Sequence, residues 1–238
     1  MDRLYIVIPA YNERETIRDV ISQWYPVAAK TGPESRLVIV NDGSRDNTYE
    51  IVKECAKGMP QLVPLTKANG GHGAAVLFAY HYALEQGADF VFQTDSDGQT
   101  LPEEFPPFWE LRNDYDMVIG HRSHRQDGFA RVLVTKVLKL TLRICFGVSA
   151  TDANTPYRLM NAETLRKNID LIPADFNLSN VILSVIYEKK KLRVKYLPIT
   201  FRPRQGGVNS INIPKIFGIG VQALKDFRAI NKKLNSML

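Results

Sequence analysis

Leu4-Tyr5-Ile6-Val7-Ile8-Pro9-Ala10-Tyr11-Asn12-Glu13 begins as an unbroken apolar run and ends on a proline, a tyrosine and two polar side chains. A short apolar run that stops at polar and turn residues is the pattern of a strand buried on both faces. The same pattern returns at Leu37–Val40, Leu62–Leu65, Phe90–Gln93 and Met117–Gly120. Between these runs, roughly 13–29, 46–57, 72–86 and 103–113 carry helical spacing. Strands alternating with helices of this length predict βαβ units, hence an α/β fold with a Rossmann-like, mostly parallel central sheet flanked by helices. Ligands of such sheets bind beyond the carboxyl ends of the strands. The unusual residues gather at those ends: Pro9 to Glu13, Asn41-Asp42-Gly43-Ser44, and Thr94-Asp95-Ser96-Asp97-Gly98-Gln99.

Beyond residue 120 the pattern changes. A long helix is expected over 129–146, then a turn-rich stretch 147–161, a helix near 178–190, a strand 193–201 and a Gly/Pro-containing loop 202–212. Pro214 opens a last helix running to about 236, with Asn212 as a nearby cap. No repeat, low-complexity tract or linker divides the 238 residues, so one domain over 1–238 is expected. Charge divides it instead. Residues 1–120 carry 10 Lys and Arg against 18 Asp and Glu, a net of −8, and residues 121–238 carry a net of +14. The acidic half and the basic half therefore have different jobs, and the basic one faces an anion.

The composition excludes disorder, collagen and disulfide scaffolds. Cys55 and Cys145, without metal-type spacing, read as reduced thiols of an intracellular protein. The N-terminal residues lack the pattern of a signal peptide. No run approaches the roughly 18 apolar residues of a spanning helix. The basic half carries no helix-turn-helix, zinc-finger or RNA-recognition signature, so nucleic acid is not the expected anion. Its cations instead lie on amphipathic helices. Lys136, Lys139 and Arg143 share one face of 129–146. In the last helix, Lys225, Arg228 and Lys232 oppose Ile216, Ile219, Ala223, Leu224, Phe227, Ile230 and Leu234. Basic amphipathic helices suit either a membrane surface or ordinary packing on a core.

Asp95 and Asp97 are two carboxylates one residue apart just past a strand, so they point the same way if the segment stays extended. They repel unless a cation lies between them. Hard oxygen donors in small number suit Mg²⁺ or Mn²⁺ completed by substrate phosphates, and Gln99 is a third oxygen donor; a solvated acidic turn is the alternative. Asp42, at a strand end, either accepts bonds from a nucleoside or closes an Asx turn, with Asp46 the better cap for the helix that follows. Asn69-Gly70-Gly71-His72-Gly73 precedes a helix, where glycines let backbone approach a ligand. It matches neither dinucleotide nor Walker spacing. His72 has no obvious partner and reads as a polar loop residue.

Taken in order, these stretches resemble the family 2 glycosyltransferases, and within them the polyprenyl-phosphate sugar transferases of the dolichyl-phosphate mannose synthase kind. Gly120-His121-Arg122, Asp152 to Arg158, and Pro198-Ile199-Thr200-Phe201 with Arg204 complete the set. The resemblance implies a GT-A fold, a nucleotide-diphosphate sugar donor (a UDP- or GDP-sugar) and a divalent cation. It implies that Pro9, Tyr11, Glu13 and Asp42 hold the nucleoside, with Ala10, Asn69, Gly70 and Ser96 beside them in the donor site. Asp95, Asp97 and Gln99 would hold the metal against the diphosphate, which Arg204 also binds. Arg122, Arg131 and Thr135 fall where the lipid-phosphate enzymes contact the acceptor phosphate. Asp97, Arg122 and Arg131 are thus the expected catalytic set.

Members that glycosylate a hydroxyl usually place an acidic base at the start of the helix after the acceptor region. Here that stretch reads Asp175-Phe176-Asn177-Leu178-Ser179-Asn180, with amides. A hydroxyl nucleophile needs a base, whereas a phosphate oxygen is already anionic. The expectation is therefore an inverting transferase acting on a dolichyl or undecaprenyl phosphate, peripheral to the cytoplasmic face of a membrane. Asp152 or Asp175 as a base keeps open a soluble family member acting on a saccharide or protein hydroxyl; a non-catalytic nucleotide-sugar binding protein is the alternative of another class.

Overall fold

Seven strands form one sheet in the computed structural model, which describes residues 1–122, 129–148, 151–203 and 226–236, with 129–137 described as helical backbone. The strands are β1 (Leu4–Ala10), β2 (Arg36–Asp42), β3 (Leu62–Lys67), β4 (Phe90–Gln93), β5 (Met117–Arg122), β6 (Arg158–Asn161) and β7 (Val194–Ile199), in the spatial order β3-β2-β1-β4-β6-β5-β7. All neighbours are parallel except β6, which runs antiparallel between β4 and β5. The mostly parallel, helix-flanked architecture expected from the sequence is the one observed.

Every residue of β1 is buried, as a central parallel strand covered on both faces requires. Its side chains alternate. Leu4, Ile6 and Ile8 join a core with Ile17, Ile21 and Trp24 of α1 (Ile17–Thr31), while Tyr5 and Val7 join the opposite core with Ala75, Val76, Ala79 and Tyr80 of α3 (His72–Glu85). Helix α2 (Thr48–Ala56) links β2 to β3. Asn47, not Asp46, stands at the N-cap of α2; Asp46 lies one residue earlier and accepts the Thr48 N–H.

Two further expectations change. The helix expected over 103–113 is a 3₁₀ turn, Pro102–Glu104, followed by the short α4 (Pro106–Glu110). Pro106 and Pro107 have no N–H to donate into a continuing helix, so the hydrogen-bond ladder breaks there although Phe105 itself keeps helical dihedrals. The stretch 147–161 is not turn throughout: its end is β6, continued by α6 (Ala162–Arg166) with Asn161 as the cap. The helix over 178–190 is α7 (Ser179–Lys189), and the strand 193–201 is β7. Helix α5 spans Phe129–Phe146, matching expectation. The last helix, α8, is described over 226–235, with Phe227, Ile230 and Leu234 buried and Arg228 and Lys232 exposed, the two faces the spacing predicted. Its start, with Asn212 and Pro214, lies outside the described residues.

Because β6 is antiparallel, its amino end lies at the edge where the other six strands end. Asp152 and Thr155 are thereby brought to the same edge as Asp42, Asp95 and Arg122.

Candidate active site

The turns after β1, β2 and β4 enclose a cavity of about 810 Å³. That is room for a nucleotide-sized ligand. Pro9, Ala10, Tyr11, Glu13, Asp42, Asn69, Asp95, Ser96 and Asp97 line it, together with Asn12, Arg14, Arg45, Asp46, Gly71 and His72. Tyr11 is 42% exposed on this wall, an aromatic face open to a planar ring. The wall is braced from behind. Asn12 adopts φ 55°, its N–H donating to Ser44 Oγ and its Oδ1 accepting the Arg45 N–H. The Glu13 N–H donates to Thr48 Oγ1, and Thr16 Oγ1 donates to Glu13 Oε2.

Asp42 is nearly inaccessible, at 3% exposure. Its Oδ1 accepts from Lys67 Nζ at 2.8 Å and from the Gly70 N–H at 2.9 Å, and its Oδ2 accepts the Gly71 N–H at 2.8 Å. Asn69 Nδ2 donates to the Asp42 carbonyl. The carboxylate thus organises the Asn69–Gly71 loop that forms part of the cavity wall. Gly43 makes the approach possible: it sits at φ 64°, and a Cβ there would stand 2.7 Å from the Asn69 nitrogen.

That loop leads into α3, whose first residue is His72. Its Nε2 lies 3.0 Å from Asp95 Oδ1. Burial pulls the imidazole pKa down, and the carboxylates of Asp95, Asp97 and Asp42 outweigh it, so it stands above the ordinary value. His72 therefore has a partner, contrary to the sequence reading. Nothing in the spacing announces a contact across 23 residues and two elements. On the far side, Gly73 packs against the backbone of Phe176 and Asn177, joining the loop to the segment before α7.

At the neighbouring edge Arg122, the last residue of β5, holds Asp152 through two bonds, Nε to Oδ2 at 2.9 Å and Nη2 to Oδ1 at 2.8 Å, and lies over the Phe201 ring. Arg158 explains why Asp152 sits there. Its guanidinium is fully buried and donates to the carbonyls of Ala153, Thr155 and Asn180, clamping the turn that carries Asp152. Desolvation lowers the pKa of Arg158, and nearby Tyr80, Tyr196, Asp152 and Asp95 favour its charged form.

Residues 5–174 match the sequence profile of Glycosyl transferase family 2. The chain belongs to this family. Over 220 residues it is 29% identical to the undecaprenyl-phosphate mannosyltransferase of Micrococcus luteus, covering 88% of each chain. It is 27% identical over 220 residues to the polyprenol monophosphomannose synthase of Mycolicibacterium smegmatis, covering 88% of this chain and 81% of that one. The solved structure of glucosyl-3-phosphoglycerate synthase from Mycobacterium tuberculosis in complex with Mn²⁺ and uridine-diphosphate-glucose matches with a TM-score of 0.69 at 18% identity, covering 97% of this chain and 79% of that one. At that identity the likeness shows the fold, which is GT-A.

The family 2 motifs thus converge on one cavity for the donor residues. Gly70 stands just behind the lining, bonded to Asp42. Gln99 is not among the lining residues; its Nε2 donates to the Arg202 carbonyl and its N–H to Asp97 Oδ1. Arg122 faces Asp152, also outside the lining. The side chains of Arg131 and Thr135, and all of Arg204, lie outside the described residues. For a divalent cation, Asp95 and Asp97 supply carboxylate oxygens directly on the cavity. Among the described residues no three His, Cys, Asp or Glu side chains form a closed ligand cluster. Two carboxylates opening on a cavity that can hold phosphates fit a hard cation with few protein ligands.

Proposed function

We propose that this glycosyltransferase inverts at the anomeric carbon while moving a sugar from a nucleotide-diphosphate sugar to a polyprenyl phosphate at the cytoplasmic face of a membrane. One observation carries the choice of acceptor: the carboxylates that could take a proton at the acceptor edge are otherwise placed. Asp152 is held by Nε and Nη2 of Arg122, and Asp175 is exposed ahead of an α7 that opens on Ser179 and Asn180. A phosphate nucleophile needs no base. The names of the two relatives, which act on undecaprenyl phosphate and polyprenol, support the same reading.

In this reading Tyr11 flanks the base, and Pro9, Ala10, Glu13 and Asp42 shape the nucleoside wall. Asn69 and Ser96 line the path of the diphosphate with Gly70 behind them, and Arg204 also meets it. Asp95 and Asp97 hold Mg²⁺ or Mn²⁺, which when bound offsets the charge of the departing nucleoside diphosphate. Arg122, Arg131 and Thr135 aim the acceptor phosphate at the opposite face of the sugar. A phosphate oxygen forms the new bond to the anomeric carbon. The bond to the diphosphate breaks with its electron pair leaving on the nucleotide, and no proton is transferred.

The acceptor is lipid, and α5 offers a surface for it. Leu140 and Ile144 are 59% and 73% exposed, with Lys139 and Arg143 exposed beside them. Among the described residues no helix is long and apolar enough to cross a membrane. A surface helix of this kind suits contact with an anionic membrane. Radiolabelled transfer from UDP- and GDP-sugars with Mn²⁺, offered a short-chain polyprenyl phosphate or a set of saccharides, tests the reading. Label should move only to the lipid phosphate; transfer to a saccharide overturns it.

A further inference from the structure

We propose that His72 is a positioning residue for the divalent cation: its Nε2–H fixes Asp95, and this contact sets how tightly the site holds the metal. The inference rests on the reading of Asp95 and Asp97 as metal-holding.

An ionised carboxylate only accepts hydrogen bonds, so at 3.0 Å the imidazole nitrogen donates to Asp95 Oδ1. That bond commits one direction of one oxygen and leaves the remaining lone pairs of this cavity-lining carboxylate uncommitted by the imidazole. It also places a donor against one of two like charges that would otherwise push apart. Carboxylates that bind metals are themselves held by such outer hydrogen bonds.

The imidazole can do this because its own backbone is fixed from two sides. Gly70 and Gly71 are tied to Asp42, which is anchored in turn to Lys67. Gly73 lies so close to the Phe176 carbonyl that a Cβ would stand 2.1 Å from the oxygen. Ala75 N–H closes the first turn of α3 on the Gly71 carbonyl. His72 is therefore a side chain of fixed origin reaching from the β3 side of the sheet to the end of β4. The side chains of His72 and Asp95 are 49% and 25% exposed, so neither supports the core, and replacing His72 removes the bond without opening a cavity.

The test is Mn²⁺ binding, followed by loss of the free-ion electron paramagnetic resonance signal, for wild type, His72→Ala and His72→Gln, each with UDP and with GDP. The His72→Ala substitution should weaken Mn²⁺ binding by about 10–100-fold. His72→Gln, whose amide can donate to the same oxygen, should restore most of the affinity. Metal-free thermal unfolding of all three should remain cooperative, so that a change in Mn²⁺ affinity is not a loss of fold. Equal Mn²⁺ affinity in wild type and His72→Ala overturns this proposal alone. Lost affinity that Gln does not restore also overturns it, because the imidazole would then act other than as a donor. A wild type that binds no Mn²⁺ overturns the metal reading and this inference with it.

Discussion

Asp42→Asn is the most informative single change, because the buried carboxylate accepts three hydrogen bonds that an amide cannot all receive. Oδ1 serves Lys67 Nζ and the Gly70 N–H, and Oδ2 serves the Gly71 N–H. Whichever way the amide turns, its NH₂ meets a donor. A hydrogen bond to a charged group contributes about 1.5–3 kcal/mol, and breaking a buried ion pair costs about 3–5 kcal/mol. The Lys67 side chain is 20% exposed and can turn to water, which relieves part of this. The expected loss is therefore about 2–3 kcal/mol for Asp42→Asn and about 1–2 kcal/mol for Lys67→Met. The double variant should lose at least about 1 kcal/mol less than the sum, because the two changes remove one shared interaction. Urea unfolding followed by tryptophan fluorescence measures all three. Losses that add to within about 0.5 kcal/mol, or an Asp42→Asn loss below that figure, would refute the bracing role.

Further outcomes follow from the same geometry. Gly73→Ala should cost about 1–3 kcal/mol, since the new Cβ meets the Phe176 carbonyl and backbone must move; an unchanged urea midpoint would contradict this. For Asp116, burial raises the carboxyl pKa, and the Arg193 N–H and guanidinium with the Thr164 hydroxyl outweigh it, so the group titrates below its ordinary value. Its contribution is thus complete above the unfolded pKa, near 4, and fades as pH falls through the lower folded value. The stability gap between wild type and Asp116→Asn should shrink in acid; a gap constant from pH 6 to 3 would sink the assignment. Leu140→Glu with Ile144→Glu should abolish co-sedimentation with anionic vesicles while leaving nucleotide binding intact. Asp97→Ala should remove nearly all transfer while the protein still folds; metal-dependent turnover in this variant would count against its role.

The donor side of the fold was legible because its signals are local. Each strand from β1 to β5 is an apolar run, and the chemistry follows within a few residues of its end, as in Pro9 to Glu13 and Asp95 to Gln99. The parts that were not legible depend on partners far along the chain. Four-residue β6 begins with Arg158, a cation that reads as surface but is buried because three carbonyls surround it. The His72–Asp95 contact joins two helix and strand termini that only the parallel topology brings together. Asp42 was placed correctly at a strand end, but its engagement by Lys67 and the glycine loop required β2 and β3 to be paired. Phe105-Pro106-Pro107 divided a helix that apolar spacing alone would have continued.

The division of charge between the halves follows the same logic. Asp42, Asp95 and Asp97 lie in the acidic half at the donor cavity, and Arg122, Lys139 and Arg143 lie in the basic half, at the acceptor edge and on α5. An acceptor that already carries negative charge is the simplest account of that arrangement. Phosphorus NMR of a reaction containing nucleotide sugar, Mn²⁺ and a short-chain polyprenyl phosphate tests it most directly. The account predicts that the acceptor's phosphomonoester resonance is replaced by a phosphodiester as nucleoside diphosphate appears. A phosphomonoester that persists while the sugar moves to a hydroxyl would contradict it.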